Sequence, residues 1–214
     1  MKNLIGLIRP TEGVIRFDGQ DITQMSDADL ARTRIRYGFV FQQAALFDSM
    51  TIEENLLFPM IQHSKQAREQ MLETIHRLLD EVGLSQNVLT KKPAELSGGM
   101  RKRVGIARAL VLSPEIMLYD EPTTGLDPIM TDVINKIMHQ MGVDHDITSI
   151  IVTHDMSTVR NVATRVIMLY PTARLSSEEP QIFYDGDPRE IEHCPDPRVL
   201  DFVHGDGSSR LRAD

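Results

Sequence analysis

The sequence has no tryptophan, a single cysteine among 214 residues and only 5% aromatic residues. One thiol, Cys194, excludes an internal disulfide framework and fits a reducing compartment. No apolar run approaches the roughly 18 residues that a membrane-spanning helix needs. The opening segment, MKNLIGLIRPTEG, lacks the length and the small-residue cleavage site of a secretory signal. A cytoplasmic protein is therefore expected, with any membrane association made through partners. Basic charge is also scarce: 23 Lys and Arg stand against 31 Asp and Glu, a net charge of -8. That excludes the basic surface of a nucleic-acid binder, so no nucleic-acid partner is expected. The sequence contains no Gly-Lys dipeptide. A phosphate-cradling P-loop ends in Gly-Lys-Ser/Thr, so none lies within these residues.

What is present is ordinary for a globular protein, with 41% hydrophobic and 25% charged residues. Leu4–Ile8 reads as the tail of a helix. Gly13–Gly19 alternates like a strand and ends in an Asp-Gly turn. Gly38–Phe41 is a short apolar strand leading to Gln42 and Gln43. Met71, Ile75, Leu78, Leu79 and Val82 recur at helical spacing, with Gly83 as a stop. Ser97 is an N-cap for a helix that runs to Leu112 and breaks at Pro114. Glu115–Tyr119 and Ser149–Thr153 are short and nearly continuous in apolar residues, with a helix over Pro128–Met141 between them. This alternation predicts an α/β fold with a parallel sheet covered on both faces. A helix over Asp155–Ala163, a strand over Arg165–Tyr170, an irregular stretch over Pro171–Pro180 and an antiparallel edge strand in QIFYDG complete the chain. The polar tail after Gly205 is expected to be disordered.

Chemistry in open α/β sheets gathers at the carboxyl ends of strands. Asp120 and Glu121 follow one apolar strand, His154 and Asp155 another, and Gln42 a third. A carboxylate at a strand end can hold Mg²⁺ through water, and a second beside it can deprotonate an attacking water. Taken alone, an Asp-Glu pair is more often a pair of capping acids in a turn. Here PTTGLDP comes next, adding a third carboxylate, Asp127. Ser97, Gly98 and Gly99 open a helix whose free N–H groups suit a phosphate. Arg101, Lys102 and Arg103 read mostly as a solvated helix face. These elements occur in one order, each with groups suited to a triphosphate and Mg²⁺.

The sequence resembles the nucleotide-binding domain of ABC transporters. FVFQQAALF resembles the Q-loop, LSGGM the signature, IMLYDEP the Walker B strand, TGLD the D-loop and IVTHD the switch-histidine region. The resemblance implies a P-loop NTPase-like parallel sheet with an α-helical subdomain over about 45–112, within an ATPase domain over 1–205 and a tail over 206–214. It implies ATP and Mg²⁺ as ligands. Asp120 would hold Mg²⁺ and Gln42 would contact it and the attacking water. Glu121 would be the general base and His154 would contact the γ-phosphate. Ser97, Gly98 and Gly99 would meet the γ-phosphate bound to a second ATPase subunit in a head-to-tail homodimer, and Asp127 would communicate across it. The stretch MKNLIGLIRPTEG resembles the segment directly after Walker A in the family, so an amino-terminal truncation and an inactive isolated chain are expected. AALF after the Q-loop, Met100 in place of the usual Gln and the ending PDPRVLDFVHG resemble the ATPases of Mla and Mce-type lipid transporters. Integral membrane permease subunits and Mce-type lipid-binding subunits are then the implied partners, at the inner face of the cytoplasmic membrane. An ATPase for amino acid or metal import and a non-catalytic module are the alternatives.

Overall fold

A computed structural model describes residues 1–176 and 179–206. The chain divides into two compact units, Met1–His154 and a second that begins at Asp155.

The first unit opens with a correction. Leu4–Ile8 forms turns instead of the tail of a helix. Gly6 turns the chain into the left-handed region at φ 64, and the Leu30 side chain fills the space where a Cβ would stand. A small antiparallel hairpin comes next, β1 (Arg16–Phe17) with β2 (Gln20–Asp21), shorter than the strand expected over Gly13–Gly19. Then come α1 (Asp27–Arg34) and β3 (Tyr37–Val40). Three helices lead back to the sheet: α2 (Ile52–His63), α3 (Arg68–Glu81) and α4 (Gly98–Leu110). The unit ends with β4 (Ile116–Asp120), α5 (Pro128–Asp144) and β5 (Thr148–Val152).

The strands β3, β4 and β5 form one parallel sheet with β4 in the middle. Met117, Leu118 and Tyr119 of β4 are fully buried, as a central parallel strand requires. Edge position gives β5 a different character from the covered strand expected. Its residues are half-buried or exposed, Val152 at 44%, and among the described residues it pairs only with β4. The expected period holds in α3, where Met71, Ile75, Leu78 and Leu79 are buried. The helices α2, α3 and α4 pack on one another, and α4 lies against β3.

In the second unit, Asp155 caps α6 (Met156–Val162), and β6 (Val166–Leu169) pairs antiparallel with β7 (Ile182–Gly186). The closing helix α7 (Pro197–His204) ends at Gly205 in the left-handed region, φ 69. Its Val199 and Val203 pack with Ile191 and Cys194 into a small core. The disorder expected of the tail falls on 207–214, outside the described residues.

Candidate functional site

Glu121 is the first residue after β4, and its backbone is unusual. It adopts φ 48, a left-handed conformation that a non-glycine residue seldom takes. Its N–H, its carbonyl and its carboxylate are all engaged. Its N–H donates to Val152 O at 2.9 Å, tying it to β5. Its carbonyl accepts from Lys102 Nζ at 3.3 Å and from Thr124 N at 3.3 Å. Its carboxylate Oε2 accepts from Thr124 Oγ1 at 3.0 Å and lies 2.8 Å from His154 Nδ1. An ionised carboxylate only accepts, so Nδ1 carries the proton in this pair. The Glu121 side chain is 22% exposed and that of His154 67%, so the carboxylate is sheltered while the ring stands open. The fold joins these two groups directly, although they follow different strands.

The amino terminus of α4 is built as expected. Ser97 Oγ accepts from Met100 N at 3.2 Å, which leaves its hydroxyl proton free to donate. The two glycines differ. A Cβ on Gly98 would meet nothing within 4 Å, whereas one on Gly99 would collide with Met130 Cε at 2.5 Å. Gly98 is the exposed member, and Gly99 is buried against α5.

The basic run after them is not a solvated face. Arg101 Nη1 donates to Leu96 O at 2.6 Å, and Arg103 Nη1 to Gly83 O at 2.8 Å. Lys102 is only 6% exposed. Burial pushes its ammonium below the usual lysine range, against the attraction of the Glu121 charge. The reason is geometric: this turn of α4 faces backbone carbonyls, which accept from the cations.

A cleft of about 570 Å³ brings the separated segments together, lined by Gln42, Gly98, Arg101, Lys102, Thr124 and Leu126 among others. Gln42 and Gly98 thus share one cavity with the residue that donates to Glu121. The β3–β4 register explains the placement. Val40 lies opposite Tyr119, and Gln42 and Glu121 each come two residues later. Asp127 stands apart as the N-cap of α5, where Oδ1 accepts from Ile129 N and Met130 N at 3.0 and 2.9 Å. Among the described residues no group of three or more His, Cys, Asp or Glu is arranged to hold a metal. Asp120 is a half-buried carboxylate at a strand end. That fits Mg²⁺, which keeps several waters and takes one or two carboxylates beside phosphate oxygens.

Thr124, Lys102 and Arg108 were not singled out by the sequence. Arg108 donates through Nη2 to Ala44 O and through Nη1 to Ala45 O, both at 2.8 Å. Both alanines are left-handed, at φ 60 and 48, so the loop after Gln42 is fixed by a fork from α4.

Residues 1–124 match the sequence profile of the ABC transporter family. The chain is 42% identical over 170 residues to the "probable ribonucleotide transport ATP-binding protein mkl" of Mycobacterium leprae, covering 79% of this chain and 49% of that protein. It thus spans about half the length of that relative. It is 33% identical over 200 residues to the intermembrane phospholipid transport system ATP-binding protein MlaF of Escherichia coli K12, covering 94% of this chain and 71% of MlaF. Among solved structures, the ATP-binding cassette MJ0796, dimeric and bound to ADP and Pi, superimposes with a TM-score of 0.70 at 32% identity, over 78% of this chain and 72% of that one. CbiO1 of Clostridium perfringens, part of the CbiONQ transporter complex, gives a TM-score of 0.76 at 28% identity, over 98% and 78%. The parallel sheet, the sheltered carboxylate after its central strand and these likenesses lead to one conclusion: the chain belongs to the ABC transporter family, as a nucleotide-binding cassette.

Proposed function

We propose that this chain is the ATP-hydrolysing subunit of an ABC transporter that moves phospholipid between membranes. The observation that carries the ATPase reading is the Glu121 carboxylate, sheltered at the end of β4 and bonded to His154 and Thr124. Glu121 takes the proton of the attacking water, and Gln42 orients that water from the loop after β3. Asp120 would hold Mg²⁺ through water, and the ion supplies neutralisation of phosphate charge when bound. His154 has a condition on its role. With Nδ1–H given to Glu121, the neutral ring offers only a lone pair at Nε2. Contact with a γ-phosphate therefore requires the imidazolium or a turned ring.

Ser97, Gly98 and Gly99 meet the γ-phosphate of a second copy in a head-to-tail dimer, with Asp127 near that interface. The open space at Gly98 supports this. Integral permease subunits, with Mce-type lipid-binding subunits, seat the cassette on the inner face of the cytoplasmic membrane. An open groove of about 570 Å³, in which Met50, Leu57, Phe58 and Ile61 stand beside Glu53, Glu54 and Arg68, supports a permease contact. Among the described residues no helix is long and apolar enough to cross a membrane. The phospholipid cargo rests on the likeness to MlaF along 94% of the chain.

Residues 1–214 hold no Gly-Lys pair, and phosphoryl transfer depends on a cradle for the phosphates. Phosphate release from these residues alone should stay at background. It should appear when a glycine-rich phosphate loop from a homologous cassette is joined ahead of Met1. Silence of that fusion would sink the ATPase reading; turnover without it would sink the need for the loop. With permease partners in vesicles, phospholipid should raise turnover and a ribonucleotide should not. The reverse result would transfer the cargo to the class named for Mkl.

A further inference from the structure

Lys102 is a buried cation that the reading above does not use. It lies on α4 four residues after Gly98, so the two share a helix face, and both line the 570 Å³ cleft. An ammonium is costly to bury unless it is paired or hydrogen-bonded. Here the 6% exposed side chain places Nζ 3.3 Å from the carbonyl oxygen of Glu121. That carbonyl begins the turn that carries the base, at a residue held left-handed at φ 48. The turn is otherwise supported by two neutral backbone bonds, Glu121 N to Val152 O and Thr124 N to Glu121 O, and by bonds from Thr124 Oγ1 and His154 Nδ1 to the Glu121 carboxylate.

We infer that Lys102 is a positioning residue for Glu121, holding the base-bearing turn in its left-handed form and tying it to the signature helix of the same chain. The inference rests on the reading of Glu121 as the base. A charge-assisted bond is stronger than a neutral one, so the lysine strengthens the backbone side of the turn, where the other bonds are neutral. The consequence concerns communication. Whatever enters the cleft at Gly98 touches the first turn of α4, and the next turn holds Glu121. Occupancy of the signature is thereby felt by the base of its own chain, one helical turn away.

Lys102→Met keeps the unbranched stem and removes the charge; Lys102→Arg keeps charge and donors. Amide exchange is read on the 214-residue chain without nucleotide. In Lys102→Met the Glu121 and Thr124 amides should exchange about tenfold faster or more, while Leu78 and Leu79 in α3 stay within about threefold of the parent. Lys102→Arg should restore slow exchange at both sites. Unchanged exchange at Glu121 and Thr124 in Lys102→Met would overturn the assignment. So would an equal rise in α3, which would mark Lys102 as a general packing residue. If Lys102→Met does not fold, Lys102→Gln is read by the same criteria, because its shorter amide stays polar but stops short of the carbonyl. These readings need no turnover. They stand or fall apart from the base role, which Glu121→Gln tests.

Discussion

Glu121 concentrates the chemistry of the site in one residue. Its left-handed backbone costs roughly 1–2 kcal/mol, offset by bonds to β5, α4 and Thr124. Glu121→Gln keeps the size and reach of the side chain but cannot take a proton from water. In a fusion of the chain with a homologous phosphate loop, this substitution should leave ATP binding intact and lower turnover by about 10²–10⁴-fold. Calorimetry reads the first and phosphate release the second. Release within about threefold of the parent would remove Glu121 from the base role, since general-base catalysis is worth far more. The acid was legible because it comes directly after an apolar strand. Its supports were not. Thr124 carried no reading of its own, and Lys102 stood in a basic run read mostly as a solvated face. Which face of a helix meets carbonyls depends on what packs there, and no local pattern records that.

At the scale of elements, the spacing between β3 and α4 places Gln42 beside the signature. Gly38 makes that spacing possible: a Cβ there would stand 2.7 Å from Ala109 O and collide with Met117. Gly38→Ala should therefore cost roughly 1–3 kcal/mol, the usual penalty of overpacking. Urea unfolding monitored by circular dichroism measures it as a lower midpoint with an unchanged slope. An unaltered midpoint would mean that α4 and β3 can part without loss. Periodicity revealed α3, where buried positions recur on one face. No such stripe marked α2, whose apolar residues surround Pro59 and are not confined to one side. Its capping box, Thr51 with Glu54, was the local signal available.

For the whole molecule the deciding question is which site the signature serves. Ser97→Arg would place a bulky cation where a partner's γ-phosphate is proposed to sit. In the phosphate-loop fusion it should block nucleotide-driven dimerisation, seen as a loss of the dimer peak in size-exclusion chromatography with ATP. A mixed dimer with one altered chain should lose turnover at the site whose phosphate loop belongs to the unaltered chain. Damage confined to the altered chain's own loop would refute action in trans. Among the described residues no helix is long and apolar enough to cross a membrane, as the lack of a long apolar run led one to expect.

The sequence by itself determined the family and the parallel α/β order, and it supplied the candidate residues for the proposed chemistry. Those features are local: apolar runs of strand length, a capped glycine pair, acids at a strand end. Tertiary structure decided how they cooperate. Only packing brings His154 to Glu121, separated by 33 positions in the chain and by 2.8 Å in space. Only packing turns Lys102 inward, assigns Gly98 to the cleft and Gly99 to Met130, and locks the Ala44–Ala45 loop under Arg108. The physical reason is the same in each case. A side chain's type limits the bonds it can make, but the partner that completes the bond is supplied by a distant segment.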